Sequence, residues 1–335
     1  MKIDFYTHFL PPKYRAHVEK LPQTGSAPLE YLRYMPTLWN LDERFRIMDK
    51  FPDVAHVLTL AAHTPSDIVG PKEALELSMR ANDELAELVY QHPDRFAGAA
   101  AVLPLNNMDA ALKELERAVN ELHLRGVLVR VPINDRGPDA EEFWPLWEAM
   151  AAYNLPVWLH PQRRRDIPDY ASEKGDSKYM IWHLWGIVYE TTVAMTRLAF
   201  SGVFDKYPDL KFVTHHCGAM VPFFSDRIDH HYDQAEMRQG PAWNFKKGLR
   251  EKPVDYFRKF YNDTVVNGNT SALMCGYEFF GADHLLFATD FPFDAQLGVI
   301  ETRSAIEAIE RMAISEADKR KIFYENARRI AKLPV

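Results

Sequence analysis

Eight short apolar runs punctuate the chain, at residues 3–9, 54–60, 96–103, 127–132, 156–160, 210–216, 260–266 and 285–290. Longer segments with apolar positions every three or four residues separate them, the alternation expected of repeated βα units around a parallel sheet. Several runs carry consecutive apolar residues, as in Val127-Leu128-Val129 and Pro156-Val157-Trp158-Leu159. A strand that is apolar on both sides is buried on both, as the inner wall of a barrel is. Behind Asn107, the positions Ala111, Leu112, Leu115, Ala118, Val119 and Leu122 recur at helical spacing, with charges on the opposite face. That pattern predicts an amphipathic helix capped by the asparagine. The third, fourth and fifth runs begin roughly 30 residues apart, enough for one strand and one returning helix.

Counting alone does not separate a closed barrel from a doubly wound open sheet. The polar residues do: His8, His160, His215, His216 and Asp290 all fall at the carboxyl ends of their runs, the face where barrel active sites assemble. The expected fold is therefore a (β/α)8 TIM barrel of the α/β class, spanning 1–335 as one domain. Residues 11–40 interrupt the rhythm with Thr24-Gly25-Ser26-Ala27-Pro28 and the aromatic Tyr31, Tyr34 and Trp39, and read as a small capping insertion over the barrel mouth. The polar stretch 162–179 leaves another carboxyl strand end. Ser315 and Asp318 form a capping box for a helix running through Ile322, Phe323, Ala327 and Ile330, which reads as outer packing.

Composition narrows the function more than the fold. A formal net charge of -7 disfavours nucleic acid or an anionic membrane surface as partner, because both call for a basic face. Two cysteines, Cys217 and Cys275, are too few for a disulfide framework. No signal-like segment precedes the first strand, and no apolar stretch approaches the ~20 residues of a spanning helix, so a cytoplasmic enzyme is expected. No glycine-rich phosphate loop follows the first strand.

In Asp4-Phe5-Tyr6-Thr7-His8, a period of two places Asp4, Tyr6 and His8 on one face. His160 and Asp290 would converge on the same mouth, giving two imidazoles and a carboxylate around one point. Such a mixed nitrogen and oxygen set suits a divalent metal, Zn²⁺ in the first place and Mn²⁺ or another first-row ion otherwise, with positions left for water and substrate. One barrel-end histidine alone is more often a hydrogen-bonded core residue than a ligand. Three such residues at carboxyl strand ends make a site.

The motifs Ile3-Asp4-Phe5-Tyr6-Thr7-His8-Phe9-Leu10-Pro11, His160-Pro161, His216-Cys217-Gly218 and Thr289-Asp290-Phe291-Pro292-Phe293 resemble those of the amidohydrolase-related decarboxylases. That family includes 2-amino-3-carboxymuconate-6-semialdehyde, resorcylate and carboxyvanillate decarboxylases. The resemblance runs through nearly the whole chain in order, including 82–103 and Val203-Phe204-Asp205-Lys206-Tyr207-Pro208. It implies a first strand ending His-x-His or Glu-x-His, both outer residues binding metal with a fifth-strand histidine and an eighth-strand aspartate. The matching positions are Tyr6, His8, His160 and Asp290, so Tyr6 departs from the pattern. A neutral phenol with a pKa near ~10 is a poor ligand unless the metal strips its proton. Tyr6 then binds as phenolate, hydrogen-bonds a metal-held water or substrate, or fills space beside a weakened site.

The resemblance further implies a sixth-strand histidine as general acid/base, matched at His216 through Gly218, although periodicity does not choose between His215 and His216. Asp290 is the other proton donor it offers. It implies a substrate-carboxylate arginine at Arg227, reached across a subunit interface, and a second at Arg33. An ion pair with Asp226 or Asp229 is the ordinary reading of Arg227. His63 and Trp185 are expected to line the pocket, where packing of Trp182, His183 and Trp185 as a lid is the plainer role. The run Arg163-Arg164-Arg165 follows the His160 strand and would attract an anion unless it is a solvated loop. The implied activity is metal-dependent, non-oxidative decarboxylation of an unsaturated or aromatic acid. Hydrolysis or hydration of a lactone or C–C bond by the same site, and a silent acid-binding barrel, are the alternatives. Partners are then a small anionic organic substrate and further copies of the chain, in a homodimer or homotetramer.

Overall fold

The computed structural model describes residues 1–21, 34–61 and 63–335. Among them are eight parallel strands: β1 (Lys2–Phe9), β2 (Val54–Leu60), β3 (Phe96–Ala99), β4 (Val127–Val131), β5 (Pro156–Pro161), β6 (Lys211–Thr214), β7 (Tyr261–Asp263) and β8 (Leu285–Leu286). Continuous ladders join β1-β2-β3 and β4-β5-β6-β7-β8. Two seams close the ring. At one, Ala101 pairs with Val127, and the amides of Ala101 and Leu128 donate across to Gly126 and Ala101. At the other, Thr7 pairs with Phe291, and Phe5 N donates to Phe287 O and His8 N to Phe291 O. The result is the expected closed barrel. The regular strands β3 and β8 are shorter than their apolar runs because both end at seams held by isolated bridges.

Alternation along the strands divides the core in two. Val127, Val129, Val157 and Leu159 face outward onto helices that include Leu115, Trp147, Leu198 and Leu273. Leu128, Trp158, Val213 and Leu286 fill the barrel itself. Each large side chain so buried contributes roughly 1.5–3 kcal/mol. Asn107 accepts from Ala110 N and caps the helix Met108–Asn120 as its sequence predicts. Ser315 likewise caps Glu316–Arg320 by accepting from Asp318 N.

The start of the expected 11–40 insertion is the helix Pro12–Val18, tied down by Glu84, whose carboxylate accepts from Lys13 N and Tyr14 N. Leu10 N donates to Leu38 O, so the far end of the segment returns to β1. Arg33, Tyr31 and residues 24–28 lie outside the described residues. No helix among those described is long and apolar enough to cross a membrane.

Candidate metal centre and active site

A bulge in β1 builds the first part of the site. Asp4 pairs with His56 and Thr7 with Leu58, so Phe5 and Tyr6 share the space opposite Val57. The extra residue turns both Phe5 and Tyr6 inward. Phe5 stacks on Trp158 at 4.6 Å, while Tyr6 reaches the mouth. Strict alternation would have put Asp4 on the Tyr6 face. The bulge instead leaves Asp4 on the other side, where its carboxylate accepts from Thr289 N at 3.1 Å and from Thr289 Oγ1.

Tyr6, His8, His160 and His215 then form one aromatic cluster. Tyr6 stacks on His215 with ring centres 4.4 Å apart and planes at 21°. It lies 5.5 Å from the His8 ring and 6.1 Å from the His160 ring. Nitrogens of His8, His160 and His215 fall within 4.8 Å of one another, as do the ligand atoms of His215, His216 and Asp290. Asp290 Oδ1 is 3.0 Å from His8 Nε2 and 3.3 Å from His215 Nε2. Asp290 is aimed there by a left-handed backbone, φ 63°, with its amide donating to Tyr6 O.

The residues fit a metal ion on the evidence of their own hydrogen bonds. Thr59 Oγ1 lies 3.2 Å from His8 Nδ1, and His160 Nδ1 donates to Pro161 O at 2.7 Å. Outer partners of this kind occupy one ring nitrogen and point the other at the ion. Buried His8 Nε2 faces Asp290 Oδ1 outside ordinary hydrogen-bond geometry, and buried Tyr6 Oη has no hydrogen-bond partner. Burial, followed by the charge of Arg130 for His160, holds both imidazoles in the neutral form that ligates, His160 well below its ordinary range. Burial, then the carboxylates of Asp263 and Asp290, push the Tyr6 phenol well above its usual value. It therefore stands as a neutral donor.

His215 is held differently. Its Nδ1 meets the Asp263 carboxylate and its Nε2 faces Asp290. Burial opposes a charge there, yet the two carboxylates prevail and push its pKa up to about 10. His216 sits beside it, ring centres 4.1 Å apart. Burial and then the His215 charge push His216 down to about 3. The chain leaves β6 through left-handed His216, Cys217 and Gly218. A Cβ on Gly218 would come within 2.5 Å of the Phe280 ring, which is why glycine closes this motif.

The remaining expected residues are dispersed. His63 is half-buried after β2, and its carbonyl accepts from Tyr14 Oη. Trp185 is 65% exposed on the π-helical turn Trp182–Gly186. Arg227 is exposed on the helix Ser225–Gln239, which buries none of its residues. The arginine run is neutralised locally: Arg163 pairs with Glu190, Arg164 with Asp166 and Arg165 with Asp176. Two groups went unread in the sequence. Asp263 ends β7 and Arg130 nearly ends β4, and the strand-end rule that found His8 and His160 would have found both.

A sequence profile of the amidohydrolase family matches residues 3–333. The chain is 37% identical over 299 residues to the gamma-resorcylate decarboxylase of Polaromonas sp. (strain JS666), covering 87% of each. Among solved structures it resembles 2,6-dihydroxybenzoate decarboxylase complexed with 2,6-dihydroxybenzoate, with TM-score 0.78, 30% identity and 99% of both chains covered. The dihydroxybenzoic acid decarboxylase of Polaromonas sp. JS666, with bound manganese and the inhibitor 2-nitroresorcinol, superposes with TM-score 0.78 and 32% identity, covering 99% of this chain and 96% of that one. The barrel, the strand-end motifs and relatives that decarboxylate aromatic acids agree with one another, and the chain belongs to the amidohydrolase family.

Proposed function

We propose that this enzyme is a metal-dependent, non-oxidative decarboxylase of an aromatic acid carrying an oxygen substituent beside its carboxylate. The observation that carries the reading is His8 Nε2, buried and facing Asp290 Oδ1 at 3.0 Å outside ordinary hydrogen-bond geometry. Its second nitrogen is already engaged by Thr59. His8, His160 and Asp290 would hold the ion, a 2-His-1-carboxylate set. Manganese, as in the Polaromonas relative, and zinc are the ions to test. When bound, the ion supplies an electrostatic clamp for the carboxylate and its neighbouring oxygen, with no redox role.

The protein's own groups do the rest. Tyr6 offers one O–H donor into a buried mouth and fixes the acid's orientation against the His215 ring. The proton goes to the ring carbon bearing the carboxylate. That carbon becomes tetrahedral, the bond to the carboxyl carbon breaks, its electron pair returns to the ring, and CO₂ leaves. Protein and substrate together balance with one proton taken up and CO₂ released. His215, charged between Asp263 and Asp290, is the donor in this reading, and Asp263 keeps its Nδ1 oriented. The motif resemblance points instead to His216 next to it. Replacing each in turn with Asn separates the two: the donor's loss abolishes CO₂ release while its neighbour's leaves most of it.

Elemental analysis of purified protein should find close to one Mn, Zn or similar ion per chain, and a panel of hydroxybenzoates should yield CO₂. Acid release without CO₂ would instead establish a hydrolase. A folded, metal-free protein indifferent to added ions would sink the site altogether. Tyr6→His tests the phenol: tighter metal binding with lost turnover means that its donor is used.

Self-association belongs to the same reading. Phe223 is 77%, Phe224 47% and Met237 76% exposed around the unburied helix that carries Arg227, and apolar area of this kind favours a second copy. Sedimentation should show a dimer or larger, and Arg227→Glu should weaken it.

A further inference from the structure

Asp290 leaves the barrel from its shortest strand. Regular pairing along β8 stops at Leu286, well before the carboxylate that faces His8 and His215. At the seam with β1, Thr7 and Phe291 form an isolated bridge, and Asp290 N donates to Tyr6 O at 3.2 Å. Asp290 nevertheless keeps a left-handed backbone, φ 63°. That conformation is uncommon for a residue with a side chain, and it persists where neighbouring groups fix it. With the regular ladder already ended, much of the fixing falls to side chains.

Two buried residues, Asp4 and Thr289, meet this need. Thr289 Oγ1 donates to the Asp4 carboxylate and accepts from Phe291 N at 3.2 Å. One hydroxyl thus ties together the residues on either side of Asp290. Thr289 N donates to Asp4 Oδ1 at 3.1 Å, and Tyr6 N donates to the same oxygen at 3.4 Å. A carboxylate, with its several lone pairs, can receive all three donors. The β1 bulge makes the contact: without the extra residue between the Asp4 and Thr7 pairings, Asp4 would share the Tyr6 face and turn away from Thr289. One strand therefore carries His8 at its carboxyl end and the anchor of Asp290 near its start, which sets the spacing of two proposed ligands across the seam.

We propose that Asp4 and Thr289 are positioning residues that hold Asp290 in the left-handed turn aiming its carboxylate between His8 and His215. This rests on the reading of Asp290 as a metal ligand and assigns the groups that orient it. A carboxylate already pointed at the ion loses little freedom on binding, whereas a released one must be ordered at the expense of affinity. Asp4 and Thr289 act only through Asp290. Their removal should therefore weaken metal binding when Asp290 is present and change nothing more once it is gone. A purely structural pair would instead lower the unfolding midpoint in either background and leave the affinity alone.

The test is a double-mutant cycle on the purified protein, read as Mn²⁺ affinity by competition with a chelator, beside denaturant unfolding of the metal-free form. Thr289→Val keeps the side-chain shape and deletes the hydroxyl, and should weaken Mn²⁺ binding about 10- to 100-fold. Thr289→Ser, which keeps the hydroxyl, should retain most of the affinity, and Asp4→Asn should lose part of it. In the Asp290→Asn background, Thr289→Val should cost no further affinity. A crystal structure of Thr289→Val should show the Asp290 carboxylate turned away from His8 and His215. A carboxylate that has not moved, or an equal loss of Mn²⁺ affinity in both backgrounds, would overturn the proposal. A carboxylate that has moved with Mn²⁺ affinity unchanged would instead fell Asp290 as a ligand and leave its clamp standing. Should Thr289→Val fail to fold, Asp4→Asn completes the same cycle and the same crystallographic comparison.

Discussion

The two sides of β1 are both buried, and they do opposite things with their polar groups. On the inner side, Tyr6 Oη has no hydrogen-bond partner, and His8 Nε2 meets the Asp290 carboxylate of the proposed centre at 3.0 Å. On the outer side Arg44, fully buried, donates to His8 O at 2.8 Å, to Thr7 Oγ1 at 2.9 Å and toward His56 Nδ1 at 2.9 Å. Its guanidinium lies 4.6 Å from the Phe291 ring centre. The outer network satisfies the strand so that the inner one can stay open for ligands. Two carboxylates mark the contrast. Burial acts on both, but Asp290 is carried well below its usual range by the His215 and His8 contacts, while Asp4 is left at about 7, with burial outweighing Thr289 and Arg44.

Breaking the inner side should have the largest effect. Asp290→Asn removes the proposed anionic ligand and should lower CO₂ release by a factor on the order of 10²–10⁴, with bound metal falling in parallel. A variant that keeps both would show that the carboxylate is not part of the centre. Breaking the outer side should cost stability first. Arg44→Met leaves the His8 carbonyl, Thr7 and His56 without their donor, a loss on the order of 3 kcal/mol in denaturant unfolding. Unchanged stability would remove Arg44 from its role as the strap of β1.

Asp4 sharpens the comparison through pH. Its folded pKa, about 7, is raised above the ordinary 3.8, so the unfolded chain releases this proton first. Stability should then fall as pH rises from about 4 to about 7 and level off above that. Asp4→Asn should flatten this part of the curve, and parallel curves for the two proteins would contradict it. The smallest effect is expected at Thr59. Thr59→Val removes the partner of His8 Nδ1 and should weaken metal binding about 10- to 100-fold, read by competition with a chelator, with little change in melting temperature.

Much of this was legible in the chain. Eight apolar runs give eight strands because doubly buried strands need apolar residues on both faces. His8, His160 and Asp290 could be found because strand ends on one face of a barrel converge. Asn107 and Ser315 announced their caps through local chemistry alone. Three things depended on the closed ring. The β1 bulge, invisible in a strict period of two, separates Asp4 from Tyr6. Whether His215 or His216 faces the ligands depends on a left-handed exit from β6, and such an exit follows from packing of Gly218 against Phe280. The ion pairs that quiet Arg163 and Arg165 join those residues to Glu190 and Asp176, brought close by the fold. Sequence determined which residues stand at the mouth, since side-chain period and apolarity are local. Tertiary structure decided which of them face one another, because that depends on bulges, seams and partners supplied by distant strands.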